Sequence, residues 1–159
     1  MLFLVEKFKK ASSGEQESIF HFYLRHTKQI NNWDLVDLSA PNIVGAFLFD
    51  KERSILQELA QSENLWERPI SIIATFYFLR RGDHSTTLSI AETLLDDTHD
   101  LIHKANGWML REVGKQCGED ILEAFLEKYY FRIPRTTLRY ALERLEINKK
   151  KYWMKYGRK

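Results

Sequence analysis

The feature that most constrains the fold is a regular recurrence of helix starts. Short breaks in the helical hydrophobic pattern predict that helices begin at Trp33, Trp66, Asp100 and Pro134, with spacings of 33, 34 and 34 residues. Each of these helices would be the second, more apolar member of a pair. Such a period with two helices per unit is the pattern of an α-solenoid, in which each pair buries its apolar face against its neighbours.

Composition agrees with an all-α chain. Only 7 Gly and 3 Pro occur in 159 residues, so few residues oppose helix formation. The apolar tract at 70–79 is rich in β-branched and aromatic residues, but no partner strand is visible, and we predict a buried helix there. We therefore predict an α-solenoid of HEAT-like repeats, with about ten helices in antiparallel pairs and one concave wall.

Charge is unevenly distributed along the chain. Formal net charge is +2, but residues 149–159 hold six Lys or Arg and no acid, which leaves 18 basic and 22 acidic residues in 1–148. We predict one domain over residues 1–148 and a basic aromatic tail over 149–159. The aromatic residues Tyr152, Trp153 and Tyr156 would contact nucleic acid or an acidic partner, or the tail would be a frayed, solvated end.

The location of the protein can also be predicted. A single cysteine, Cys117, excludes an internal disulfide. The N-terminal residues lack the basic start, apolar run and cleavage site of a signal peptide, and the longest apolar tract is too short to span a bilayer. We expect a cytoplasmic protein that does not associate with membranes.

Aromatic and basic residues occur close to the predicted helix starts, where a solenoid would bring them onto its concave wall. The residues in question are Trp33, Asp37, Trp66, Arg68, Lys104, Trp108, Arg111, Arg135 and Arg139. Cations bind phosphates and indole faces pack on sugars or bases, so this mixture suits a nucleic-acid backbone. The alternatives are that Asp37 stabilises a helix dipole and that Trp33 and Trp108 are core residues.

Two histidines could suggest a metal site. His99 and His103 in HDLIH are four residues apart on one helix face, as in zinc proteases. Asp100 stands where those enzymes use the longer Glu, and no third ligand has an obvious position. We therefore interpret both histidines as surface or capping residues and predict no metal. For Cys117 we expect a buried or helix-end thiol.

Four stretches together carry a resemblance to a known family. INNWDLVDLSAP, NLWERPISI, HDLIHKANGWMLREVGK and IPRTTLRYALERL resemble the AlkD-like DNA alkylation repair family, over a region from Met1 to about Leu145. The resemblance implies a HEAT-like repeat DNA glycosylase that removes N3- and N7-alkylated purines from double-stranded DNA without a cofactor. The concave wall would then be the DNA-binding face.

The resemblance also implies roles for individual residues. The family's catalytic aspartate corresponds to Asp37, and its two site tryptophans correspond to Trp33 and Trp108. The Asp37 carboxylate would stabilise an oxocarbenium-like state of the sugar. The basic residues expected to bind DNA are Arg68, Lys104, Arg111, Arg135 and Arg139.

The chain departs from the family pattern in two places. The family's site arginine ends a W-x-x-R pattern, but here Pro69 holds that position and Arg68 lies one residue earlier, a helical rotation of about 100°. Family members also carry further helices before the point where this chain begins, so we expect an exposed apolar N-terminal end that could support self-association. The alternative function is a non-catalytic DNA-binding or scaffold protein derived from such an enzyme.

Overall fold

The computed structural model describes residues 1–156, and these consist of helices joined by short turns. No strand occurs among the described residues, so the prediction of an all-α chain is confirmed. The chain divides into two compact units, Met1–Phe78 and Leu79–Lys159. The single domain over 1–148 and the solenoid arrangement stay predictions.

The first unit is built from short helices. They are α1 (Leu2–Lys10), α2 (Ser13–Arg25), α3 (Trp33–Ser39), α4 (Ala46–Leu48), α5 (Ser54–Ala60), α6 (Glu67–Ala74) and the start of α7 (Phe76–Leu79). A 3₁₀ turn at Thr27–Gln29 precedes α3, and a π-helical turn at Ala40–Gly45 follows it. The core of this unit lies where the π-helical turn and α5 pack against α6.

The second unit is organised around one long helix. Its elements are α8 (Ser85–Leu94), α9 (Asp100–Gln116), α10 (Glu119–Tyr129), a 3₁₀ turn at Tyr130–Arg132, α11 (Arg135–Ala141) and α12 (Ile147–Lys155). Helix α9 contacts α8, α10 and, most extensively, α11. Its buried side is a row of residues at helical spacing that includes Ile102, Met109 and Val113.

The observed helices begin where the spacing predicts. Trp33 and Asp100 are the first residues of α3 and α9, while Trp66 and Pro134 directly precede α6 and α11. The apolar tract at 70–79 is helical, but it is divided between α6 and α7 by a turn at Thr75 and does not form the single buried helix that the sequence predicts. Ile70, Ile72 and Ile73 within it are fully buried. No helix in the described part of the chain is both long enough and apolar enough to cross a membrane.

The two ends of the described chain differ in their packing. At the N-terminus, Leu2 and Phe3 are exposed, in agreement with an apolar end, although self-association stays a prediction. At the other end α12 forms a packed helix and not a frayed tail, because Trp153 is only 4% exposed. The hydroxyl of Tyr130 donates a hydrogen bond of 2.8 Å to the Trp153 carbonyl. The last three residues of the predicted tail, 157–159, lie outside the described residues.

Candidate functional site

Helix α3 carries the first two candidate residues. The Asn32 side chain caps the helix by accepting a 3.0 Å hydrogen bond from the backbone N–H of Leu35. Trp33 and Asp37 then lie one helical turn apart, on the same side of α3. The cap therefore fixes the start of the helix and with it the direction of both side chains.

A second tryptophan meets the first. The rings of Trp33 and Trp66 lie edge to face, with centroids 5.7 Å apart and planes at 82°, a favourable aromatic geometry. Both residues are half-buried, so neither is a pure core residue. The starts of α3 and α6 thus contribute two indoles to one surface beside α3.

The carboxyl group of Asp37 lies in an unusual environment. The residue is exposed, but neighbouring protein atoms displace part of the hydration of its carboxyl group, and this raises its pKa. The negative charge of Asp34 raises the pKa further. Among residues 1–156, no donor or cation forms a hydrogen bond or ion pair with this carboxylate.

These facts exclude the simplest structural role for Asp37. A carboxylate that stabilises a helix dipole belongs in the first turn, and its pKa would be lowered. Asp34 occupies that first-turn position in α3, whereas Asp37 lies in the second turn and has a raised pKa. The ionised Asp37 therefore gains no visible stabilisation from the fold and is available to a cation.

The helix changes its form directly after Asp37. Pro41 has no backbone N–H and cannot donate the α-helical hydrogen bond to the Asp37 carbonyl. The chain widens into the π-helical turn Ala40–Gly45, a form often found at functional sites. At its end, a Cβ on Gly45 would lie 2.2 Å from the Ala74 carbonyl oxygen, so only glycine permits this close contact with α6.

One further residue, Glu67, links the segment before α3 to α6. Its carboxylate accepts a 2.5 Å hydrogen bond from the Thr27 hydroxyl and a second, short one from the Ser62 hydroxyl. Thr27 is only 2% exposed and belongs to the 3₁₀ turn that leads toward Trp33. Glu67 was not among the predicted residues, because the Thr27 contact joins positions 40 residues apart and no local pattern reports it.

In the second unit, Trp108 lies on α9 and is half-buried. The preceding Gly107 faces α11 so closely that a Cβ would lie 2.5 Å from the Tyr140 Cβ and 2.6 Å from the Thr137 carbonyl oxygen. Successive residues of a helix differ by about 100° in direction. The Gly107 contact therefore sets the rotation of α9, and that rotation decides where Trp108 points.

The predicted DNA-binding cations of this unit all have contacts within the protein. Lys104 pairs with Asp100 at 3.1 Å, Arg111 pairs closely with Glu143, Arg135 donates to the Met154 carbonyl at 3.1 Å, and Arg139 donates to the Thr136 hydroxyl at 3.5 Å. Exposed pairs of this kind are weak and exchange readily for a phosphate. Arg111 is the least available cation, because its side chain is only 17% exposed.

Comparison with known proteins gives one match. The family model of the DNA alkylation repair enzyme matches residues 1–145. The chain belongs to this family. No curated protein and no solved structure matches it. Membership gives the chain a role in the repair of alkylated DNA and makes DNA its partner.

The chain accommodates Pro69 near the start of α6. Pro69 is buried and is the third residue of α6, where the backbone N–H would have no partner within the helix. Arg68 is half-buried, and its Nη1 donates a 3.0 Å hydrogen bond to the Ser62 carbonyl. The helix start is thus intact, while the predicted contact of Arg68 with DNA stays a prediction.

His99 and His103 both lie at the start of α9. The Nδ1 of His99 accepts a 3.2 Å hydrogen bond from the Leu101 N–H and caps the helix, and His103 Nε2 lies 2.5 Å from the Asp97 carbonyl oxygen. No group of three possible metal ligands was found among residues 1–156. Cys117 is the C-terminal cap of α9, so the prediction of a helix-end thiol is confirmed.

Proposed function

We propose that this chain is a monofunctional DNA glycosylase of the AlkD-like type, which hydrolyses the N-glycosidic bond of cationic N3- and N7-alkylated purines. The observation that carries the proposal is the Asp37 carboxylate, which is exposed and has a raised pKa. Within the described residues no donor or cation contacts it. It lies one turn from the Trp33–Trp66 pair.

The proposed reaction needs little more than one carboxylate. An N3- or N7-alkylated purine already carries a positive charge, so it takes the electron pair of the breaking N-glycosidic bond and leaves as a neutral base without a general acid. Positive charge then develops on the sugar, in an oxocarbenium-like state. Water adds to C1′ and gives its proton to the Asp37 carboxylate or to solvent, so that charge and atoms balance.

The environment of Asp37 suits the stabilisation of a cation. A carboxylate that has lost part of its hydration interacts more strongly with a nearby positive charge than one surrounded by water. The face of Trp33 would add the attraction of an aromatic ring for a cation. We assign Trp108 to the reaction through the family resemblance, and its substitution by Phe or Ala tests this separately.

DNA binding in this proposal relies on cations. Lys104, Arg111, Arg135, Arg139 and Arg68 would exchange their contacts within the protein for phosphates, so the affinity for DNA falls as the salt concentration rises. Such contacts hold the backbone without reading the base sequence. We therefore expect excision that depends on the charge of the lesion and little on its sequence context.

A non-catalytic DNA-binding or scaffold protein is the second candidate function. Pro69 favours it, because this residue occupies the position of the family's site arginine. The Asp37 carboxylate argues against a non-catalytic function, since a negative charge on a surface that only binds phosphates would weaken the binding of DNA. The two functions differ in whether the chain releases a base from DNA that it binds.

The decisive experiment measures release of 7-methylguanine from methylated duplex DNA. We expect release by the parent chain and a loss on the order of 10²- to 10³-fold in Asp37→Asn, the usual effect of removing one preorganised electrostatic group. Asp34→Asn is the matched control, because it makes the same chemical change three residues earlier on α3 and should retain activity near neutral pH.

Three results would contradict the proposal. Equal activity of Asp37→Asn and the parent would remove Asp37 from the mechanism. Binding of DNA without base release, by the parent and by Pro69→Arg alike, would favour the scaffold function. Release by Pro69→Arg alone would identify the chain as an enzyme disabled at this position.

A further inference from the structure

Helix α12 presents an exposed face that the residues described so far do not use. Lys151, Tyr152 and Lys155 are exposed and lie on one side of the helix, at spacings of four and three residues. Helix α12 contains four lysines and no acidic residue. Among residues 1–156, neither Lys151 nor Lys155 forms an ion pair or a side-chain hydrogen bond.

The opposite side of α12 is fixed to the second unit. Lys149 is neutralised by Glu119 and Glu123, with Nζ–O distances of 2.8 and 2.5 Å. Trp153 is buried, and its ring packs against Tyr130 with centroids 6.3 Å apart. Lys149 and Trp153 thus hold α12 against the second unit, while Lys151 and Lys155 remain exposed on its other side.

The C-terminal end of α12 lies beside the start of α11. Arg135 is the first residue of α11, and its Nη1 donates to the carbonyl of Met154 in the last turn of α12 at 3.1 Å. A cation at this end of a helix satisfies a free carbonyl and the helix dipole. Lys155 follows Met154 directly, and Arg139 lies one turn after Arg135 on α11. The end of α12 that carries Lys155 therefore lies beside the start of α11, where Arg135 is.

We propose that α12 is an additional DNA-binding element, in which Lys151 and Lys155 bind phosphates of duplex DNA beside the contacts of Arg135 and Arg139. The inference rests on the proposed function only in taking DNA as the ligand. It goes beyond the family, since the family match ends at residue 145 and α12 begins at Ile147.

The chemistry of this face fits a nucleic-acid backbone. Four residues of helix rise by about 6 Å, and duplex DNA carries one negative charge per about 1.7 Å of its axis, so both lysines can reach phosphates at the same time. The face carries two large hydrophobic side chains, Ile147 and Tyr152, which are 57% and 52% exposed, and this is too little for insertion into a membrane. An acidic protein would also be attracted, and the experiment separates that outcome.

The test measures the salt dependence of binding to an unmodified duplex by fluorescence anisotropy. Each phosphate contact contributes about 0.9 to the slope of log K against log salt, so Lys151→Gln/Lys155→Gln should lower the slope by about 1.8. Lys10→Gln/Lys115→Gln is the matched control. It removes two exposed lysines from the last turns of α1 and α9, reaches the same net charge and should keep the parent slope.

Further variants and readouts secure the interpretation. Lys151→Arg/Lys155→Arg should restore the slope, and thermal melting confirms that each variant is folded. Equal slopes for the test and control variants, or a parent chain that does not bind DNA, would overturn the inference. Polyglutamate stands for an acidic protein partner, and a loss of affinity for polyglutamate without a loss of affinity for DNA would also overturn it. Base release is measured separately, so a chain that releases no base but shows the slope change would refute the proposed glycosylase and leave this inference intact.

Discussion

Replacement of Glu67 by Ala tests whether one buried contact holds the segment before the candidate site. The change removes the acceptor for the hydroxyls of Thr27 and Ser62. A hydrogen bond to a charged group contributes about 1.5–3 kcal/mol, and a neutral one about 1 kcal/mol. Thr27 is buried, so its hydroxyl would lose the full contribution of a hydrogen bond to a charged group. Ser62 is half-buried, and its hydroxyl can bind water in place of Glu67. The free energy of unfolding should therefore fall by about 2–4 kcal/mol.

The assay is thermal unfolding followed by circular dichroism. For a chain of this size each kcal/mol shifts Tm by about 2–4 °C, so Glu67→Ala should melt about 4–16 °C below the parent. Glu63→Ala is the matched control, because Glu63 is exposed and its side chain forms no hydrogen bond or ion pair with the described residues. Equal melting temperatures for the two variants would refute the reasoning, since they would show that the Glu67 contacts add no stability.

Two further predictions concern the neighbours of the candidate site residues. The charge of Asp34 raises the pKa of Asp37, so Asp34→Asn should lower the pKa of Asp37. The rate of base release should then fall off at a lower pH in this variant than in the parent. An unchanged pH dependence would mean that a group other than Asp37 controls it. Gly107→Ala places a methyl group 2.5 Å from the Tyr140 Cβ and should cost about 1–3 kcal/mol or more by overpacking. Its control Gly14→Ala, with open space around the new Cβ, should melt at or slightly above the parent temperature in the same assay.

The helix starts could be predicted because their causes are local. Asn32 caps α3 through a residue three positions away, and His99 caps α9 through a residue two positions away. Hydrophobic spacing then gives the buried side of each helix. The shared face of Trp33 and Asp37 follows from the same periodicity, because the two residues are four positions apart on α3.

The remaining features depend on contacts between distant positions. The hydrogen bond from Thr27 to Glu67 spans 40 residues, and no periodicity in the sequence indicates it. The buried side of α12 was not predicted either, because the anchor of Trp153 is a hydroxyl 23 residues earlier, on Tyr130. From the sequence alone, a run of lysines with interspersed aromatic residues is equally consistent with a frayed chain end and with a packed helix. Only the tertiary contact distinguishes the two.

The cost of Asp37 to the folded state supports a chemical role for it. A carboxyl group whose pKa is raised on folding destabilises the fold at any pH at which it is ionised, because the unfolded chain holds the charge at lower free energy. The contribution of Asp37 to stability is therefore greatest below its ordinary pKa and falls as the pH rises through the raised value. At neutral pH the fold holds this charge beside a second carboxylate, Asp34, on a helix followed by a π-helical turn. If α3 served packing alone, Asn at position 37 would make the fold more stable. A helix that has to stabilise a developing positive charge needs an ionised carboxylate in this poorly solvated position.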